Sequence, residues 1–326
     1  YHTTIDRIDY SNDTAVASPK GYLQSQIPGS NGQRRAGGFS GQSNAFGGQP
    51  VPSTTKLVDK GSDGYTTTGP AYGYFAGSYS TAGNTLIDRI DYNNDTAIAS
   101  PKGNLPTDAA QGGGAGNTSY GYTFSGWAPS ISTKIFRVDY ANDTATAALK
   151  SYVSKAGNYA RSVGNADYGY TGGRGGGGVG PTDLSLIDRL DYANDTATAS
   201  VRNATGMNPG SRIVAAVGNQ SYGYFCGGTY AVSDVRRLDY SNDTTATSPK
   251  GPLSSARSYC GPGTGNGNYG YVLGQTPSQG PSTDVDRIDY TNDTATALAR
   301  GKRSINPGNA FPASISGVCN PTYAYF

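Results

Sequence analysis

Glutamate is absent from the 326-residue chain, and histidine and tryptophan occur once each, as His2 and Trp127. With one imidazole, a Ser-His-Asp or Cys-His nucleophilic centre would have to be built on the extreme start of the chain. A copper oxidase site, which needs several imidazole donors, is excluded on the same ground. The lack of Glu removes the commonest general acid of glycosidases and leaves only Asp for such chemistry. Three cysteines, Cys226, Cys260 and Cys319, are too few for a disulfide framework and read as small, partly buried hydrophobes. No run of 18 or more apolar residues is present, so no membrane insertion is expected. Lys and Arg number 25 against 23 acids, without a basic run, so no nucleic-acid partner is expected. There is no secretory signal, and the first residue is Tyr1 rather than Met, as in a processed chain or an excerpt of a longer one.

Glycine and tyrosine fill the space these absences leave, with 48 and 26 copies. So much Gly could mean disorder, but large aromatic rings call for burial. Short strands joined by Gly-rich turns reconcile the two, in one domain spanning 1–326.

The strands are legible as a repeat. Ile5-Asp6-Arg7-Ile8-Asp9-Tyr10-Ser11-Asn12-Asp13-Thr14 returns five times, with its Tyr at 10, 92, 140, 192, 240 and 290. Most steps are 48 to 52 residues, but the first is 82. Between the copies lie Tyr72-Gly73-Tyr74-Phe75, Tyr120-Gly121-Tyr122, Tyr168-Gly169-Tyr170, Tyr222-Gly223-Tyr224-Phe225 and Tyr269-Gly270-Tyr271, and the chain ends on Tyr323-Ala324-Tyr325-Phe326. Inside the long step, Asn44-Ala45-Phe46-Gly47-Gly48 and Thr55-Lys56-Leu57-Val58-Asp59-Lys60 resemble worn copies of both motifs. Lys60 falls 50 residues after Tyr10, in phase with the repeat. That predicts seven units, one truncated; the alternative is six, with a long insertion near residues 40–70.

Each unit reads as four short strands. The first is a small-residue segment, as at Arg257-Ser258-Tyr259-Cys260 or Val214-Ala215-Ala216-Val217. Tyr-Gly-Tyr is the second and Asp-Arg-Ile-Asp-Tyr the third, with alternate residues on opposite faces. Thr-Ala-Thr-Ala, as at Thr196–Ala199, is expected as the fourth. Such a unit cannot bury both faces alone; radial stacking buries them, which defines an all-β propeller. The chain starts on a third strand and stops on a second, so the two ends are expected to share a blade and close the ring.

The order Tyr224-Phe225-Cys226-Gly227-Gly228, Leu238-Asp239-Tyr240, Asn242-Asp243-Thr244, Ala256-Arg257-Ser258 resembles the kelch repeat, without its usual Trp after the turn. This resemblance implies a kelch-like β-propeller. The wording Asp-Arg-Ile-Asp-Tyr-Ser-Asn-Asp-Thr with Tyr-Gly-Tyr-Phe also resembles repeat proteins of marine bacteriophage virions. It implies a non-enzymatic tail, fibre or capsid-surface component that contacts other virion proteins or a host-surface glycan. The alternatives are a secreted or cell-surface adhesion module and, more remotely, a glycan-cleaving enzyme.

Arg7, Arg89, Arg137, Arg189, Arg237 and Arg287 recur beside Asp9, Asp91, Asp139, Asp191, Asp239 and Asp289, and are read as a ring of structural inter-blade ion pairs. The six Asn-Asp-Thr segments match the glycosylation acceptor pattern, but their regular spacing reads first as Asx-type hairpin turns. Each offers too few ligands for calcium, and no metal or cofactor is expected. The connections between second and third strands vary from unit to unit. They carry Tyr79, Trp127, Arg174, Tyr230 and Gln275, which are the candidate ligand-binding residues, because varied loops on a constant scaffold are where recognition resides. The Asn-Asp-Thr turns are expected on the opposite face.

Overall fold

The computed structural model describes residues 4–23, 37–40, 72–78, 84–127, 130–175, 185–203, 214–228, 232–257, 263–274, 283–304 and 317–326. Among them are six antiparallel four-stranded sheets arranged as the blades of a propeller. The third blade runs from Gly113–Gly116 at the axis through Tyr120–Trp127 and Ile131–Asp139 to Ala148–Gly157 at the rim. The first blade is built from both ends of the chain: Ser18–Tyr22 and Thr4–Asp9 pair on to Tyr323–Tyr325 and Val318–Cys319. The two termini therefore close the ring, as the phase of the repeat predicts.

The blade count is six and not seven. The Arg of each third strand reaches an Asp in the next blade, and the sixth such step, Arg287 to Asp13, returns to the first blade. A blade between the first and second would have to separate Arg7 from Asp95, which are 2.7 Å apart. Gly37–Ser40 and Tyr72–Ser78 pair directly as the inner two strands of the second blade. The segment carrying the Lys60 motif, residues 41–71, is thus an insertion within that hairpin and lies outside the described residues.

Two strand assignments also move. In the sixth blade the inner strand is Gly263–Gly265, beyond Arg257-Ser258-Tyr259-Cys260. Thr196–Ala199 belongs to the turn, and the rim strand is Ser200–Asn203. Its counterparts include Ser18–Tyr22, Ser100–Asn104 and Ser248–Pro249, each carrying a Pro. Proline is admissible there because the strand is an edge with one set of N–H groups unused by the sheet.

Inner-strand residues are buried and, apart from Arg161, small, as in Gly113–Gly116, Arg161–Gly164 and Ala215–Gly218. The hydrophobic core is not a central mass. It is divided into six clusters, each joining two adjacent blades, such as Tyr122, Phe124 and Ile135 of the third with Leu190 and Ala199 of the fourth. Glycine is required where the blades approach most closely. A Cβ on Gly103 of the second blade's rim strand would lie 1.8 Å from the Ala145 carbonyl oxygen of the third. At that contact Gly103 N–H donates to the Asp143 carbonyl at 2.7 Å, so the edge strand is capped by its neighbour's turn.

Candidate functional site

The seams between blades use one arrangement six times. In the fourth blade, Arg189 Nη1 lies 2.8 Å from Asp243 Oδ2 of the fifth, and the Tyr170 hydroxyl donates to the same oxygen at 2.9 Å. Arg202 of the rim strand approaches that carboxylate at 3.8 Å. The Arg189 guanidinium lies over the Tyr168 ring at 4.2 Å, and Tyr170 stacks on Tyr240 with centroids 4.9 Å apart. Equivalent Arg–Asp contacts at 2.7–2.8 Å are made by Arg7, Arg89, Arg137, Arg237 and Arg287 with Asp95, Asp143, Asp195, Asp293 and Asp13. A second cation, Lys20, Lys102, Lys150, Lys250 or Arg300, joins each of these carboxylates. Burial pushes the Asp293 carboxyl upward, but Tyr224, Lys250 and Arg237 together outweigh it and hold its pKa below the ordinary value.

The acid partner is therefore the Asp of the Asn-Asp-Thr turn in the next blade, not the Asp beside the Arg in sequence. The third-strand Asp acts locally instead. Asp9 Oδ1 accepts from Ser11 N–H at 2.9 Å and caps a short 3-10 turn, and Asp91, Asp139, Asp191, Asp239 and Asp289 do the same. The Asx turn is thus made by this Asp and not by the Asn. The side-chain oxygens of Asn12 and Asn94 accept instead from the hydroxyls of Thr14 and Thr96, at 3.5 and 3.4 Å. A further recurring Asn opens the inner hairpin: the carboxamides of Asn117, Asn165, Asn219, Asn266 and Asn320 each accept two backbone N–H groups. Its signal, Asn three residues before Tyr-Gly-Tyr, is plain in the sequence once the strand ends are known.

These inner hairpins and the Asn-Asp-Thr turns share one face, and the second-to-third loops share the other with the connections between blades. On the varied face, Trp127 is half-buried at the end of its strand, where its backbone exchanges two hydrogen bonds with Ala110. Arg174 is fully buried, with Nη2 2.8 Å from Asp188 and Nη1 donating to the Lys155 carbonyl at 3.0 Å. Burial lowers its pKa in spite of Asp188. Arg174 therefore helps fasten the fourth blade at this end, as Arg257 with Asp286 does in the sixth. Tyr79, Tyr230 and Gln275 lie outside the described residues.

Beside Trp127 and Arg174 stand four residues that sequence reading did not single out: Gln111, Asn158, Tyr159 and Arg161. They sit in the connections entering the third and fourth blades or at the start of the next strand, where an irregular segment carries no periodic signal. Asn158 is bridged through its backbone to Gly175, beside Arg174, and its side chain reaches Gln111. Among the described residues no group of three or more His, Cys, Asp or Glu side chains is placed to hold a metal ion. Cys226 and Cys319 are buried thiols, and Cys260 lies outside the described residues. Among the described residues no helix is long and apolar enough to cross a membrane.

Blades, seams and ring closure define a six-bladed β-propeller. Compared with known proteins, the chain matches no family model and no curated sequence.

Proposed function

We propose that this propeller is a non-catalytic recognition module of a virion surface, in a tail, fibre or capsid position. Its varied face contacts a host-surface glycan or a neighbouring virion protein. The observation that carries this reading is the division of labour between repeated and varied residues. The repeated Arg, Tyr, Asp and Lys side chains are engaged in the six seams. What differs from blade to blade is concentrated in the loops of one face, and such loops on a rigid scaffold are the usual seat of binding. The virion setting rests on the resemblance of the repeat wording to marine phage proteins.

The test is binding of the purified chain to envelope material from candidate host cells and to the other proteins of the particle. Changing Trp127 and Tyr230 together to Ala is expected to abolish binding while the thermal transition and the β circular dichroism stay in place. Unchanged binding would remove the varied face from consideration. Capture by envelopes of cells that host no such particle would favour the adhesion-module alternative.

A further inference from the structure

Six asparagines stand where the fold makes no demand for them. Asn12, Asn94, Asn142, Asn194, Asn242 and Asn292 are the same residue in every blade, and all six are exposed. The position just before each is exposed as well and changes freely, as Ser11, Asn93, Ala141, Ala193, Ser241 and Thr291. The turn is capped by the third-strand Asp, and the seam is closed by the Asp that follows the Asn, so neither task is given to the carboxamide. An exposed polar residue that stays constant beside one that drifts points to a binding duty.

In the first blade that Asn borders an open hollow. A cavity of about 170 Å³ lies between the third strand and the turn after it, with Arg7, Asp9, Asn12, Ala15, Val16 and Ser18 in its lining. Asn12, Ala15 and Val16 are exposed, and Arg7, Asp9 and Ser18 half-buried, so the hollow opens to solvent. It is small beside the roughly 300–1,000 Å³ that a drug-sized ligand needs, and takes one small unit. Asp9 spends Oδ1 on the turn and offers Oδ2 as an acceptor. Asn12 brings a carboxamide and Ser18 a hydroxyl. At the adjoining seam Arg7 and Lys20 lie 2.7 and 3.8 Å from the Asp95 carboxylate, so with Asp9 two cations meet two carboxylates. The Arg, Asp and Asn of the lining recur in all six blades and the Ser in four. The place of Val16 is taken by Ile98, Thr146, Thr198, Ala246 and Thr296.

We propose that this hollow binds one unit of a neutral, hydroxyl-rich polysaccharide, and that its repetition makes the Asn-Asp-Thr face a multivalent glycan surface. This goes beyond the recognition proposed for the varied face and does not depend on it. An anion is opposed by Asp9 and a cation by Arg7. A sugar hydroxyl brings no charge; it donates to Asp9 Oδ2 and accepts from the Asn12 amide. The C–H groups of the ring meet the Val16 side chain, which is 63% exposed, and Ile98, 60% exposed, offers the same surface in the second blade. The first two blades therefore carry the strongest sites. A polymer repeats its unit as the ring repeats its hollow, and sites that are weak singly then hold together.

The experiment is a titration of the intact chain against purified glucans, galactans and mannans, with alginate as the acidic comparison and the free monosaccharides as single units. The wild type is expected to bind a neutral polymer, at least about 100-fold more tightly than the matching monosaccharide, and not to bind alginate. Asn12→Ala with Asn94→Ala is expected to weaken polymer binding at least about 10-fold at an unchanged melting temperature, because both side chains are exposed. Ser11→Ala, a residue the third and fourth blades already carry at that place, is expected to bind as the wild type does. Polymer binding unchanged in the double Asn variant, a preference for alginate, or binding of no polymer at all would overturn the hollow. If polymer binding survives the double Asn variant and is lost on changing Trp127 and Tyr230 to Ala, the hollow falls and the varied-face reading stands.

Discussion

Raising the pH should unfold the ring in one cooperative step. Six tyrosines, Tyr74, Tyr122, Tyr170, Tyr224, Tyr271 and Tyr325, are pushed up first by burial and then by the Asp each one bonds. Burial pushes Tyr10, Tyr140, Tyr192, Tyr240 and Tyr290 up as well. A raised tyrosine contributes stability that is intact below its unfolded pKa and is lost as pH rises above it, because the unfolded chain ionises first. Each group that stays protonated in the fold removes about 1.4 kcal/mol in the first pH unit above 10. The five raised chiefly by burial then remove about 7 kcal/mol at pH 11, and all eleven about 15 kcal/mol. A domain is typically stable by only about 5–15 kcal/mol, so the fold should fail between roughly pH 10.5 and 11.5. The assay follows tyrosinate absorbance and β circular dichroism together along a pH titration. Coincident, steep transitions are expected. Gradual ionisation of all 26 tyrosines with the β signal intact would refute the burial of these rings.

Other substitutions separate residues that hold the seams from residues that do not. Asp195→Ala strips the acceptor from Arg137, Lys150 and the Tyr122 hydroxyl, and should cost about 3 kcal/mol in a denaturant titration. Gly103→Ala drives a Cβ into the Ala145 carbonyl and should cost about 3 kcal/mol or prevent ring closure, read from the melting temperature. Asn142→Ala should stay within about 0.5 kcal/mol of wild type by the same measurement, because its side chain is exposed and lies outside the Arg–Asp–Tyr seam.

How much of this was legible in the sequence depended on whether neighbours in the fold are neighbours in the chain. The second and third strands, the hairpin turn and the shared terminal blade follow from local motifs and their phase. The blade count did not, because Lys60 falls in repeat phase by length alone and mimics a third strand inside the hairpin of the second blade. Sequence points to the wrong rim strand because Thr-Ala-Thr-Ala has the better β propensity, whereas Ser-Pro-Lys-Gly is selected by edge position and by close approach to the next turn. The partner of each Arg is hidden for a related reason: Asp9 is two residues from Arg7, but Asp95, 88 residues away, is the acid it bonds. Arg174 in its glycine run reads as a surface anchor, and only the folded third strand shows Asp188 waiting beneath it. The Gln111–Asn158 contact joins two irregular connections and has no periodic trace.

If one face recognises and the seams only hold, that division should be visible where the chain works. Electron cryomicroscopy of the particle that carries it is the decisive measurement. A six-bladed ring is expected on the virion surface, with density from a host glycan or an adjoining protein against the face that bears Trp127 and Asn158. Contacts made solely through the Asn-Asp-Thr turns of the opposite face, or a particle lacking the chain, would overturn the assignment.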